Sequence, residues 1–196
     1  MNIAVYSGSF NPIHNAHIAL SRFIVDHKPR GIEQVWLMVT PRNPLKPYAE
    51  MVPDSDRLEM TRLACKELNN IMVSDFEIKL NPPFYSLKTL NKLSEKYPQH
   101  KFHLVIGADN WHSITQWYKP EEIISNYGLI IYPRPGFSIN SNTLPENVIF
   151  LSDAPLSTIS STEVRKLIAQ GEDVSSLIPT SVANFIQKHN LYSVNK

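Results

Sequence analysis

"IAVYSGSFNPIHNAHIAL", residues 3–20, decides the architecture. Its opening run, Ile3 to Ser7, is apolar without alternation and ends at Gly8, which predicts a short strand buried on both faces. Beyond a turn holding Pro12, Ile18, Ala19, Phe23 and Ile24 recur near helical spacing, so residues 16–27 predict an amphipathic helix. His14 and His17 stand three apart at the start of that helix and therefore share one face.

The same alternation continues along the chain. Strands are predicted at 34–40, 71–78, 101–109, 127–136 and 147–152. Helices are predicted after an Asp54 N-cap, over 85–97, over 161–171 and over 180–192. The stretch 41–53 carries four prolines and cannot be regular structure. With the loop 133–146 it is a candidate flap. Apolar strands alternating with helices predict an α/β fold, an open parallel sheet with helices on both faces. The 196 residues suit one domain, 1–196, with the closing helices (161–192) on the same core. Ligands of such sheets bind beyond the carboxyl ends of the strands. The chemically notable residues gather there: Gly8 to His17, Lys46, Gly107 to Asp109, Arg134, and Ser160 to Arg165.

Composition removes several function classes. Nineteen Lys and Arg against 18 Asp and Glu give no basic excess for coating nucleic acid or a membrane surface. A local cationic pocket for a small phosphate compound stays compatible with that balance. The single cysteine, Cys65, allows no internal disulfide and reads as a buried thiol among Leu63, Ala64 and Leu68. No basic, apolar leader opens the chain and no run reaches membrane-spanning length, so the expected location is cytoplasmic.

Paired imidazoles at a strand-to-helix turn have four uses: a metal, a proton, an anion, or core packing. Zinc would need further ligands, and no Cys or His partner has zinc-like spacing. A core pair is an odd choice at a turn facing the ligand crevice. Anion binding fits best, because a helix N-terminus adds free N–H groups and positive partial charge. The stretch is no P-loop, since Gly-x-x-x-x-Gly-Lys is absent.

These residues also carry a resemblance. "GSFNPIHNAH" (8–17) resembles the Gly-x-Phe-x-Pro-x-His-x-Gly-His motif of the adenylyl- and cytidylyltransferase superfamily, with Ala16 in place of the second glycine. The superfamily's Ile-Ser-Ser-Thr-x-x-Arg motif stands unaltered as "ISSTEVR" (159–165). Between them, "NPLK" (43–46) resembles a Pro-His-Lys loop, and "FYSLKTL" (84–90) a Ser-Tyr-Thr helix start with Phe84 and Ser86 exchanged. "GADNWHSITQWYK" (107–119) resembles Gly-Ala-Asp followed by Trp-Tyr-Lys, and "PRPG" (133–136) an Arg-Pro-Gly turn. Over nearly its whole length the chain is similar to bacterial nicotinate mononucleotide adenylyltransferases.

The resemblance implies a Rossmann-like nucleotidyltransferase fold and a role in NAD biosynthesis: transfer of the adenylyl group of ATP to nicotinate mononucleotide, with pyrophosphate released. It implies catalytic roles for His14, His17, Lys46 and Arg165. ATP would be bound by Gly8, Ser9, Phe10, His14, His17, Gly107, Asp109, Arg134, Ile159, Ser160, Ser161, Thr162 and Arg165. Nicotinate mononucleotide would meet Ser9, Phe10, Lys46, Tyr85, Ser86, Asp109, Trp117 and Tyr118, with Trp117 stacked on the pyridine ring. Lys119 is expected to point elsewhere, and Trp36 and Trp111 to be structural. Mg²⁺ would arrive on the ATP phosphates without a firm protein ligand, and no nucleic acid or membrane partner is implied. The oligomeric state stays open. Two rivals stand beside this reading: a sister transferase using another phosphorylated acceptor, such as nicotinamide mononucleotide or phosphopantetheine, and a nucleotide-binding regulator without catalysis.

Overall fold

The computed structural model describes residues 1–41 and 51–193. Six strands form one sheet: β1 (Asn2–Gly8), β2 (Ile32–Val39), β3 (Ile71–Ser74), β4 (Lys101–Gly107), β5 (Leu129–Tyr132) and β6 (Val148–Phe150). Among the described residues seven α-helices cover it: α1 (Asn15–His27), α2 (Asp54–Cys65), α3 (Ser86–Lys96), α4 (Ala108–His112), α5 (Pro120–Asn126), α6 (Ser161–Ala169) and α7 (Thr180–Lys188). All strand pairs are parallel, in the order β3-β2-β1-β4-β5-β6. The expected two-faced burial follows residue by residue. In β1, Ala4 and Tyr6 enter the core under α1, α2, α6 and α7, which supply Leu20, Ile24, Met60, Cys65, Val164, Val182 and Ile186. Ile3 and Val5 enter the opposite core, with Leu87, Leu90 and Leu93 of α3 and Ile123 of α5. The closing helices α6 and α7 thus share the first of these cores.

Strand order reverses between β1 and β4, which lie side by side with Val5 opposite Leu104. Loops leaving the carboxyl ends of two such strands part company and open a crevice. That crevice receives Gly8 from one side and Gly107 from the other.

Several expected boundaries shift. The strand foreseen over 71–78 stops at Ser74, whose hydroxyl accepts from the Phe76 amide at 3.2 Å and turns the chain into a 3₁₀ turn over Glu77–Lys79. The strand foreseen to 109 ends at Gly107, and Ala108–His112 is helical. The one foreseen to 136 ends at Tyr132, before a proline that has no ladder donor. The last helix ends at Lys188, where left-handed Asn190 (φ 50°) stops it short of 192. Cys65 is buried as expected, and burial pushes its thiol up to about 11.

Asp54 is not the N-cap of α2; Pro53 is, and Asp54 lies in the first turn. Its carboxylate has another task. Arg57 is fully buried, with Nη2 2.5 Å from Asp54 Oδ1 and Nη1 donating to the Ser9 carbonyl at 2.6 Å. A buried guanidinium is tolerated when a carboxylate and a carbonyl take its terminal N–H groups. Arg57→Ala leaves both acceptors without that donor and opens a cavity, so it should lower unfolding free energy by about 3 kcal/mol in urea titrations. A loss below about 1 kcal/mol, the ordinary surface scale, would contradict the structural role assigned here.

Candidate active site

The turn between β1 and α1 is fastened at three carbonyls. Ser9 O accepts from Arg57 of α2, Asn11 O from Arg165 Nη1 of α6 at 2.9 Å, and Pro12 O from Ser161 Oγ of α6 at 2.9 Å. The Asn11 side chain accepts from the Val52 amide at 3.3 Å and from the Tyr192 hydroxyl at 2.8 Å. Between the first two anchors, Phe10 adopts φ 43°, a left-handed conformation that costs a bulky residue on the order of 1–3 kcal/mol. Its ring is buried edge-on against Tyr6 and His17 at 5.8 and 5.0 Å. A Cβ at Gly8 would stand 3.0 Å from that ring, so the glycine leaves Phe10 its place.

The result is a fixed start for α1. His14 is the N-cap residue, and its amide donates to His17 Nδ1 at 3.2 Å. That bond assigns the neutral His17 proton to Nε2, leaving an N–H donor on the free side of the ring. The two imidazoles stack with centroids 3.7 Å apart, and His14 Nδ1 is buried without a hydrogen-bond partner among the described residues. Both rings are neutral. Burial, then the Arg134 charge, brings His14 down to about 4; burial, then His14 and Arg134, holds His17 well below its usual value. They line a small cavity of about 30 Å³ with Tyr6, Ala16, Tyr132 and Arg134. An anion placed there would favour the protonated imidazoles and draw their pKa values upward.

Across the crevice, Gly107 ends β4 and Asp109 sits in the first turn of α4. A Cβ at Gly107 would overlap the Asp109 carboxylate and press on Arg134. Asp109 Oδ1 is buried without a hydrogen-bond partner among the described residues, and it lies 3.6 Å from Arg134 Nε in an ion pair. It is an acceptor waiting for a donor, such as a ribose hydroxyl.

Two further cavities continue the crevice. One of about 110 Å³ is lined by Tyr6, Ser7, Ser86, Gly107, Trp117 and Tyr132. The next, of about 290 Å³, is lined by Phe84, Tyr85, Ser86, Gln116, Trp117 and Tyr118. Ser86 opens α3, no side chain caps that helix, and its first amides have no partners within the helix. Tyr85 and Tyr118 stack at 4.7 Å. Lys119 turns to Glu122, with Nζ 2.6 Å from Oε1, and so points away as expected.

The structure therefore brings Gly8, Ser9, Phe10, His14 and His17 opposite Gly107, Asp109 and Arg134, and puts Tyr85, Ser86, Trp117 and Tyr118 around one aromatic cavity. Ile159 packs on the core, and Ser160 caps α6 by accepting from the Glu163 amide at 3.2 Å. Thr162 Oγ1 is 3.4 Å from Arg165 Nη2. Arg165 thus grips the turn's backbone, and no carboxylate among the described residues pairs with it. Lys46 lies outside the described residues. Among the described residues, no group of three or more His, Cys, Asp or Glu could hold a metal ion. Trp36 packs edge-on against Tyr97 and Phe102, a structural role.

Sequence reasoning missed Tyr6, Asn11, Arg57 and Tyr132. Arg57 left a signal: it shares a helical stripe with Met60, Thr61 and Cys65, all buried. Asn11 sits inside the quoted motif at a position read as variable. Nothing local singles out Tyr6 or Tyr132, whose rings meet only because β1 and β5 flank β4.

A parallel sheet in this order, with paired histidines at the first helix and an Ser-Ser-Thr helix start behind them, defines a nucleotidyltransferase. The family model described as cytidylyltransferase-like matches residues 5–167. A protein of Bacteroides fragilis named "Probable nicotinate-nucleotide adenylyltransferase" is 42% identical over 178 residues, covering 91% of this chain and 87% of its own. One of the same name from Bacteroides thetaiotaomicron is 41% identical, covering 99% and 95%. The chain belongs to the cytidylyltransferase-like family and, within it, to the nicotinate-nucleotide adenylyltransferases. The fold is also that of a solved Plasmodium falciparum nicotinic acid mononucleotide adenylyltransferase complexed with NaAD, with a TM-score of 0.79, 24% identity, and coverage of 99% and 98%.

The histidine geometry yields a direct test. His17→Ala removes the Nε2 donor while the carbonyl anchors of the turn remain, so turnover should fall about 10²–10³-fold with the melting temperature little changed. A variant within about threefold of wild type, against that scale, would sink the phosphate-holding role.

Proposed function

We propose that the chain joins ATP to nicotinate mononucleotide, giving nicotinate adenine dinucleotide and pyrophosphate for NAD biosynthesis. The carrying observation is the continuity of the crevice: a histidine-lined cavity and an aromatic cavity are linked by a third that shares walls with both. Two substrates of different chemistry, one phosphate-rich and one bearing an aromatic ring, suit those two ends.

A phosphate oxygen of the mononucleotide attacks the α-phosphorus of ATP. The bond from that phosphorus to the bridging oxygen of the β-phosphate breaks, and pyrophosphate leaves. The attacking oxygen is already ionised at neutral pH, so no strong general base is required. Catalysis becomes positioning plus stabilisation of charge on the phosphates. In this proposal His14 and His17 donate to the ATP phosphates, and Lys46 adds charge from the Pro-rich stretch. The N-terminus of α6, with Ser161 and Thr162, and Arg134 and Arg165 contribute further positive potential. Gly8, Ser9, Phe10 and Gly107 leave room for the nucleotide, Ile159 and Ser160 flank the adenosine, and Asp109 accepts from a ribose hydroxyl. Mg²⁺ enters on ATP and neutralises part of the phosphate charge. A cytoplasmic setting, with its ATP, suits the reaction; among the described residues no helix is long and apolar enough to cross a membrane.

The ring of the acceptor stacks on Trp117, and its carboxylate receives the amides near Ser86 and Tyr118. The uncapped α3 start supports this, as does Lys119 being paired with Glu122 and so not aimed at the cavity. A carboxamide would turn an NH₂ donor toward one of those amides. That buried mismatch costs on the order of 1–3 kcal/mol, so nicotinate mononucleotide should exceed nicotinamide mononucleotide by at least about tenfold in kcat/KM. The test is pyrophosphate release at fixed ATP and Mg²⁺ with each mononucleotide and with phosphopantetheine. Equal efficiencies for the two mononucleotides would reject the acid-specific reading. Release with phosphopantetheine alone would move the chain to a sister transferase, and no release with any acceptor would favour the non-catalytic regulator.

A further inference from the structure

Tyr6 and Tyr132 are the two residues that line both the histidine cavity and the cavity leading to Trp117. They therefore form the wall at which an occupant of one cavity meets an occupant of the other. Tyr6 is buried at 6% exposure near the end of β1, and Tyr132 is the last residue of β5. Their rings meet edge-on at 5.7 Å, and Tyr6 stands 5.9 Å from the His17 ring. Their hydroxyl oxygens are 3.5 Å apart, a long contact, and neither has another hydrogen-bond partner among the described residues. Two hydroxyls that share one hydrogen bond retain one proton between them.

We propose that this tyrosine pair is a further catalytic element, donating that remaining O–H to the phosphate chain at the point where the two substrates join. The inference rests on the reading of the chain as an adenylyltransferase. The setting suits a donor to an anion. Arg134 lines the same cavity, and His17 offers its Nε2 proton beside Tyr6. Burial raises both phenols, so both keep their protons at neutral pH. A 3.5 Å contact between neutral hydroxyls yields readily to a phosphate oxygen, because a hydrogen bond to an ionised acceptor is roughly twice as strong.

The arrangement makes a prediction that packing alone does not. In Tyr6→Phe or Tyr132→Phe the surviving hydroxyl no longer shares its proton and can still donate, so each single change should lower kcat by less than about threefold, far below the loss of a sole donor. In the double variant no donor survives, and kcat should fall by at least about 10²-fold, the loss expected for a transition-state donor. The KM for ATP should move by less than about threefold in all three. Phe keeps the ring and its packing, so the melting temperature should hold. Loss that is far larger in the double variant than the product of the singles is the signature of two groups serving one function. A double variant within about threefold of wild type overturns the proposal, as does a loss that equals the product of the singles. If instead the wild-type chain releases no pyrophosphate with any of the three acceptors, the adenylyltransferase reading fails first and this inference falls with it.

Discussion

The grip of Arg57 and Arg165 on the backbone of residues 9–11 is the constraint on which the rest of the site depends. One guanidinium, fully buried, holds the carbonyl of Ser9, and the other holds that of Asn11, with Ser161 adding a third bond at Pro12. Fixing three carbonyls in four residues overdetermines the turn. That is how a buried phenylalanine is kept at positive φ and how the first turn of α1 is aimed into the crevice. The anchors come from α2 and α6, more than a hundred residues apart in sequence, so the histidine end of the crevice cannot form until both helices have packed on the sheet. Helix packing and site geometry are the same event here.

The electrostatics follow from that geometry. His14 and His17 are stacked, neutral and close to Arg134, with one buried ring nitrogen unpartnered. Asp109, opposite, has a buried oxygen in the same condition. Orphaned polar atoms are costly inside a protein, and a site that carries several is organised for groups that complete them. Phosphates would supply acceptors to the imidazoles and a ribose would supply donors to the aspartate. A nucleotide would supply partners to both at once.

Much of this was legible in the sequence. Apolar strands alternating with amphipathic helices announced a covered parallel sheet, and "GSFNPIHNAH" with "ISSTEVR" announced the nucleotidyltransferase family. What stayed hidden had physical reasons. Helices of five and seven residues, Ala108–His112 and Pro120–Asn126, are too short to show a period. Asp54 looked like a cap because a capping aspartate and an ion-pairing one have the same local sequence; only the burial of Arg57 tells them apart. The Tyr6–Tyr132 pair depends on strand order, which local patterns do not encode. Arg165 was expected to reach a phosphate; its bond to the Asn11 carbonyl required the assembled fold.

The central claim is that a phosphate chain sits against the neutral histidine pair, and proton linkage tests it most directly. With His14 held near 4 by burial and by Arg134, a bound triphosphate should raise its pKa and that of His17, so ATP should bind with uptake of protons near pH 6. Calorimetric titration of the whole chain with MgATP in buffers of different ionisation enthalpy reads that uptake. The account predicts net uptake at pH 6 that shrinks in His14→Gln and His17→Gln variants which still bind. Binding with the same proton uptake in wild type and in both variants would contradict it.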